Sequence, residues 1–230
     1  MDPATAVEAT RPFVDDDARD RLTVTGADAE TYLQSQLSQS VTGLAVGDAR
    51  WSFVLDPTGK IDALLRVEKS GDTEFRLDTD AGFGEALEAR LRRFMIRVDV
   101  EIASESAGSL EPGGDHETAR IGAGWPRLGA EIEPGSTIPA STGVVTLACD
   151  FTKGCYPGQE LVERMASRDS EAPTRVRIVD LDEGAAAGDD VSDPEGNVVG
   201  TITSVASEGG VGIALIKRSS DFGTAPTHAG

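Results

Sequence analysis

The chain has two cysteines, two histidines, four lysines and an aromatic content of only 5% in 230 residues. With Cys149 and Cys155 alone there is no disulfide framework of the secreted kind and no paired spacing for zinc. His116 and His228 make neither an H-x-x-x-H pattern nor a Cys/His ligand spacing, so neither is given a role and no metal site is expected. The lysines are Lys60, Lys69, Lys153 and Lys217, and Lys and Arg together number 21 against 40 Asp and Glu. The cation clusters that a phosphate backbone rewards are therefore scarce, and direct nucleic-acid binding is not expected. No apolar run approaches the roughly 20 residues of a membrane helix. The opening MDPATAVEATRPFVDDDARD lacks a basic stretch followed by an apolar one, which gives the expectation of a cytoplasmic chain with reduced thiols. Nucleotide motifs are missing too: GAGWPRLG does not fit G-x-G-x-x-G, and DPTGKI has Gly-Lys without the rest of a P-loop.

What is abundant is acid. A formal net charge of -19 keeps a chain soluble but repels itself, and concentrated salt shortens the screening length to about 3 Å at 1 M. The composition points to a halophilic source. A hydrophobic content of 39% supports one large or two modest cores.

Periodicity divides the chain. RLTVTGADAETYLQSQLSQSV reads as strand, turn and helix, with Thr25 and Asp28 as a capping pair and Leu33 and Leu37 on one face. Residues 49–80 give three strand-like runs with turns at Asp56–Gly59 and Ser70–Asp72, an antiparallel meander. Phe83, Leu87, Leu91 and Met95 recur every four residues, predicting a helix capped by Asp80. Its end carries Arg90, Arg92, Arg93 and Arg97, which either answer the helix dipole or form an anion subsite. ASESAGSLEPGGDHETAR reads as a linker. After Pro173 come strand runs separated by Gly188–Asp190, Asp193–Asn197 and Gly209–Gly210, expected to form a small all-β unit.

The densest chemistry is KGCYPGQE, Lys153 to Glu160. Pro157 and Gly158 suit a turn, and GQELVERMAS a helix, which places Cys155 just ahead of a helix N-terminus with Lys153 two residues back. Amide dipoles and a cation there favour a thiolate or a bound carboxylate or phosphate. The structural alternative is a small buried thiol and glycines that merely permit a turn. Cys149, flanked by VVTLA, reads as a core residue.

These eight residues resemble the signature K-G-C-Y-x-G-Q-E of the YgfZ family of folate-binding proteins, relatives of the glycine-cleavage T-protein, and match it without exception. VTGADAETYLQSQLSQSV is similar to that family's first helix, LDPTGKIDALLRV to its hairpin, LRRFMIRVDVEI to its second helix and strand, and ASRDSEAPTRV to the step into its C-terminal barrel. The resemblance implies an α+β, aminomethyltransferase-like sheet-and-helix unit over 1–172 with a shortened middle section, and a small β-barrel over 173–230. It implies tetrahydrofolate or a derivative as cofactor, and a role in assembling or maintaining iron–sulfur client enzymes, radical tRNA-modifying ones among them. Cys155 and Lys153 inherit the reactive positions, and Tyr156, Gly158, Gln159 and Glu160 the folate contacts; from the basic cluster, Arg93 and Arg97 are read as cations for the glutamyl tail. Relatives of the T-protein commonly carry an Asp-Asp pair where this chain has Ala63 and Leu64, after a lone Asp62. A tetrahydrofolate-dependent transferase and a noncatalytic partner-binding scaffold therefore stand as alternatives.

Overall fold

The computed structural model describes residues 16–105, 112–167 and 172–227, together with Val7 and Val14. The first seven alternating residues form β1 (Arg19–Thr25), whose Leu22 and Val24 are buried on one face, and the chain then turns into helix α1 (Ala29–Gln36). The expected meander is present as β2 (Ala49–Leu55), β3 (Ile61–Gly71) and β4 (Glu74–Asp80), each paired antiparallel with the next. β4 then pairs with β1, and β1 with β5 (Glu101–Glu105), so the sheet order is β2-β3-β4-β1-β5. Trp51, Ser52, Phe53, Val54 and Leu55 are all buried, because helices and loops cover both faces of this end of the sheet. The principal core sits here and takes in Leu33 and Leu37 of α1 and Trp125, whose ring centroid lies 4.7 Å from that of Trp51.

Helix α2 (Gly84–Arg92) follows the predicted four-residue period, burying Leu87 and Leu91. Its capping differs from the expectation. Asp80 instead pairs with Arg19 at 2.8 Å and accepts the Leu128 amide at 2.9 Å. Asp20, from β1, accepts the amides of Gly82 and Gly84 at 2.9 and 2.8 Å and so satisfies the first turn of α2. Likewise Asp28 makes no side-chain cap on α1 and accepts the Asp99 amide at 2.8 Å. Asp28 directly precedes α1 and Asp80 lies four residues before α2, but the sheet brings other donors nearer to both.

The expected linker contains a helix, α3 (Gly114–Ala123), closed by Gly124 at φ 70°. Residues 106–111 of that stretch lie outside the described residues. A four-residue turn of helix, α4 (Val145–Ala148), precedes the signature loop, and α5 (Gln159–Ser167) follows it. Residues 168–171, within the expected step to the C-terminal unit, are outside the described residues, as is His228.

The C-terminal part holds four strands, divided at the three breaks read from the sequence: β6 (Thr174–Asp180), β7 (Asp190–Ser192), β8 (Val198–Val205) and β9 (Val211–Lys217). They form an antiparallel sheet in the order β6-β9-β8-β7. Among the described residues no pairing joins β6 to β7, so the sheet is open where a barrel was expected; β7, three residues long, is too short to wrap back. The sheet rests on the first part of the chain through α3. Arg120 of α3 donates to Glu131 at 2.9 Å and to Ser204 Oγ of β8 at 2.7 Å. Glu131 also accepts from Ser204 at 2.6 Å, from Thr203 at 2.7 Å and from the Arg127 amide at 3.0 Å.

Candidate functional site

Residues 149–158 form a loop fixed at both ends. At its start Asp150 donates its amide to Ser38 O at 3.0 Å, and its carboxylate accepts from the Thr152 amide at 2.7 Å and the Thr152 hydroxyl at 2.6 Å. Those bonds hold the Asp150 carboxyl below its ordinary range, although partial burial opposes them. Lys153 then reaches across the chain, donating to Gln34 O at 2.7 Å, to Leu37 O, and to Gln39 O at 3.3 Å. Gln34 O and Leu37 O belong to the C-terminal end of α1, where a cation is favoured, and Gln39 O to the segment just after it. The ammonium lies 5.1 Å from the centroid of the Tyr156 ring.

Behind the lysine sits a second thiol. Cys149 is buried, and burial pushes its pKa up to about 12 although Ser38, Tyr156 and Lys153 act to lower it. Tyr156, also buried, is raised well above the usual phenol value by burial first and by Cys149 and Glu163 after it. Burial lowers Lys153 to about 8, against the opposing pull of Asp150 and Cys149. Lys153, Cys149, Tyr156 and Ser38 thus make one half-buried polar cluster, and Cys155 stands outside it with its thiol exposed.

The far end of the loop is set by glycine. Gly158 has φ +79°, and a Cβ there would meet Asp56 O at 2.6 Å and Gly59 Cα at 2.8 Å. Gly59, with φ +88° in the Asp56–Gly59 turn, faces Leu161 of α5 just as closely. Two glycines in consecutive contact let the signature loop press its backbone on the hairpin turn. The turn is itself rigid: Asp56 accepts from Thr58 N at 2.8 Å and Lys60 N at 2.9 Å.

On the other side of that turn lies a cavity of about 550 Å³ lined by Asp56, Pro57, Asp62, Arg90, Arg93 and Phe94 among others. Arg90 is held in place there, donating to Asp62 at 2.8 Å and to Leu55 O at 2.7 Å while lying 4.2 Å from the Phe94 ring centroid. Arg93 lines the same cavity and makes no ion pair among the described residues.

The structure therefore divides the residues singled out from sequence. It joins Lys153, Tyr156 and Gly158 into one anchored loop with Cys155 at its surface. Gln159 and Glu160 face along their own helix: Gln159 donates to Glu163, and Glu160, 89% exposed, pairs with Arg164 at 2.8 Å. Of the arginine group, Arg93 reaches the cavity, Arg92 pairs with Glu88 at 2.7 Å, and Arg97 is exposed with φ 57° and is not among the lining residues. Sequence reasoning missed the Arg90–Asp62 pair and the Cys149–Tyr156 contact. The lone Asp62 within an otherwise apolar strand run was the only signal of the first.

Comparison with known proteins agrees with this architecture. No protein-family model matches the chain. An uncharacterized protein of Haemophilus influenzae is 27% identical over 232 residues, covering 83% of this chain and 82% of that one. The crystal structure of the glycine cleavage system aminomethyltransferase T from Bartonella henselae superposes with a TM-score of 0.75 at 15% identity, over 93% of this chain and 82% of that one. The chain has the aminomethyltransferase T fold, a mixed α/β arrangement of antiparallel sheets.

Proposed function

We propose that this chain is a folate-binding protein of the YgfZ kind that serves the assembly or maintenance of iron–sulfur enzymes, radical tRNA-modifying ones among them. The observation that carries the reading is the build of the Lys153–Glu160 loop. Lys153 pins it to α1 and Gly158 seats it on the hairpin turn, and between these anchors Cys155 is left exposed. An exposed thiol at a fixed place is reachable by a client. In this reading residues 1–172 are the folate-binding unit and 173–230 the C-terminal β unit. The setting is the cytoplasm of a salt-rich cell, which the net charge of -19 supports.

The cavity beside the hairpin fits a reduced folate by its donor set and size, within the roughly 300–1,000 Å³ of small-molecule sites. Asp62 offers a carboxylate to the N–H groups of a pterin, Pro57 and Phe94 offer apolar surface, and Arg93 offers a cation to the glutamyl carboxylates. Bound tetrahydrofolate would supply N5 and N10 as carriers of a one-carbon unit. Asp56 and Pro57 of the shared turn line that cavity while Gly158 rests on the same turn, so ligand and signature loop communicate through one rigid element. One cysteine cannot ligate a whole cluster, so contact of Cys155 with iron is shared with the client.

The transferase alternative is weakened by Ala63 and Leu64, both buried in the core of β3 and offering no carboxylate. Replacing Cys155 by Ala is expected to abolish rescue of iron–sulfur enzyme activity in a strain lacking the protein, with the melting curve unchanged. Full rescue by that variant would remove the thiol from the function, and formation of methylenetetrahydrofolate from an aminomethyl carrier would favour the transferase.

A further inference from the structure

We propose that Arg90 and Asp62 together set the ring specificity of the cavity beside the hairpin, Asp62 as acceptor of a ligand's donor edge and Arg90 as the residue that positions it; the proposal rests on the folate reading above. Ala86, Ala89, Arg90 and Arg93 all line the cavity and lie at i, i+3, i+4 and i+7, so one face of α2 with its C-terminal cap makes a wall of it. Asp62 enters from the start of β3.

The two arginines of that wall are employed differently. Arg90 directs Nε at Asp62 Oδ2 at 2.8 Å, one terminal nitrogen at Leu55 O at 2.7 Å and the other at Gln36 Oε1 at 3.4 Å, and its guanidinium carbon lies 4.2 Å from the Phe94 ring centroid. Each of its three nitrogens thus has a protein acceptor, and its side chain is only 10% exposed. Arg90 therefore holds Asp62 in one orientation and leaves anion binding to Arg93.

Asp62 is the half of the pair with capacity left. A carboxylate has about four acceptor positions, and beyond the Arg90 bond this side chain makes no hydrogen bond or ion pair among the described residues. An ionised carboxylate accepts from two adjacent N–H groups and repels a ring oxygen set in the same place. The 2-amino-4-oxopyrimidine edge of a pterin presents such a pair in its amino group and N3–H, whereas a 2,4-dioxo ring sets an oxygen beside N3–H. Pinning by Arg90 decides how sharply this difference is read, because a carboxylate free to rotate turns away from a poor match.

The test uses the full chain in concentrated KCl with pterin and lumazine as probes, the 2-amino-4-oxo and 2,4-dioxo forms of one bicycle, followed by their ring fluorescence. Neither has the glutamyl tail, so neither calls on Arg93. The wild type is expected to hold pterin about tenfold or more tighter than lumazine. Asp62→Asn, whose amide presents an acceptor and a donor, is expected to bring that ratio close to one, and Arg90→Met to lower it at least about threefold. Arg90→Lys, which keeps the charge and loses the fork, serves if Arg90→Met does not fold. An arginine that only supports the fold shifts the melting curve and both affinities alike, so an unchanged ratio in the Arg90 variant overturns its positioning role. Equal affinities in the wild type, or no saturable binding of pterin, overturn the proposal, as does guanosine bound more tightly than pterin, since it carries the same edge on a purine. Binding of 5-formyltetrahydrofolate with no preference between the two rings removes this proposal alone. A pterin preference without binding of 5-formyltetrahydrofolate removes the folate reading and leaves the ring assignment.

Discussion

Lys153 directs its ammonium at Gln34 O, Leu37 O and Gln39 O, carbonyls more than a hundred residues away in sequence. The lysine thus secures the loop. Because burial lowers Lys153 to about 8 from 10.5, the native chain holds fewer protons at this site than the unfolded chain between those values. Stability from this group therefore rises with pH across that window. Cys149 acts oppositely: its pKa, raised from 9.0 to about 12, gives stability that is present below 9 and lost between 9 and 12. Urea unfolding between pH 7.5 and 9 is expected to show a rising term in the wild type that Lys153→Met lacks; identical slopes would mean that the lysine is not desolvated. The two thiols separate as cleanly. An aromatic disulfide reagent at pH 8 is expected to titrate one thiol in the native chain and two after unfolding, with Cys155→Ala removing the native one. The burial of Cys149 was legible in its apolar flank, whereas the partners of Lys153 were not, since they depend on where α1 ends in space.

The elements most readable in the sequence were those with a strong local period: the meander, α2 with its four-residue repeat, and the Gly-Pro turns. Caps were misread at Asp28 and Asp80, since capping needs only a nearby acceptor and the sheet supplied Asp20 from another strand. Helix α3 was missed because Gly114 and its polar first turn look like linker until Ile121 is buried against β6 and β9. The contact of Gly158 with Gly59 carries a direct prediction. Gly158→Ala forces a Cβ into positive φ and against Asp56 O, and is expected to cost at least about 1–3 kcal/mol in urea unfolding. A loss of only a few tenths would show that the loop does not press on the turn.

Across the whole molecule, α3 and the Glu131 loop fasten the C-terminal sheet to the five-stranded one. Glu131 and Arg120 have side chains only 0% and 4% exposed, and removing one partner of a buried pair costs about 3–5 kcal/mol. Glu131→Gln is expected to lower stability on that order, with hydrogen exchange rising first in β8 and α3; an unchanged midpoint would mean that the sheets are joined chiefly by apolar packing. No sequence pattern announced this pair, because its two residues lie in an unread helix and an irregular loop. The acidic excess was legible from composition, and the folate reading came from the signature, of which the fold sets Gly158 against the hairpin turn and Lys153 against the end of α1. The most direct measurement is calorimetric titration of the full chain in concentrated KCl with 5-formyltetrahydrofolate, for the wild type, Arg93→Ala and Arg97→Ala. Saturable binding weakened about tenfold or more by Arg93→Ala and unaltered by Arg97→Ala is the expected result. No saturable heat in the wild type, or equal affinity in all three proteins, would contradict the assignment of the cavity to folate.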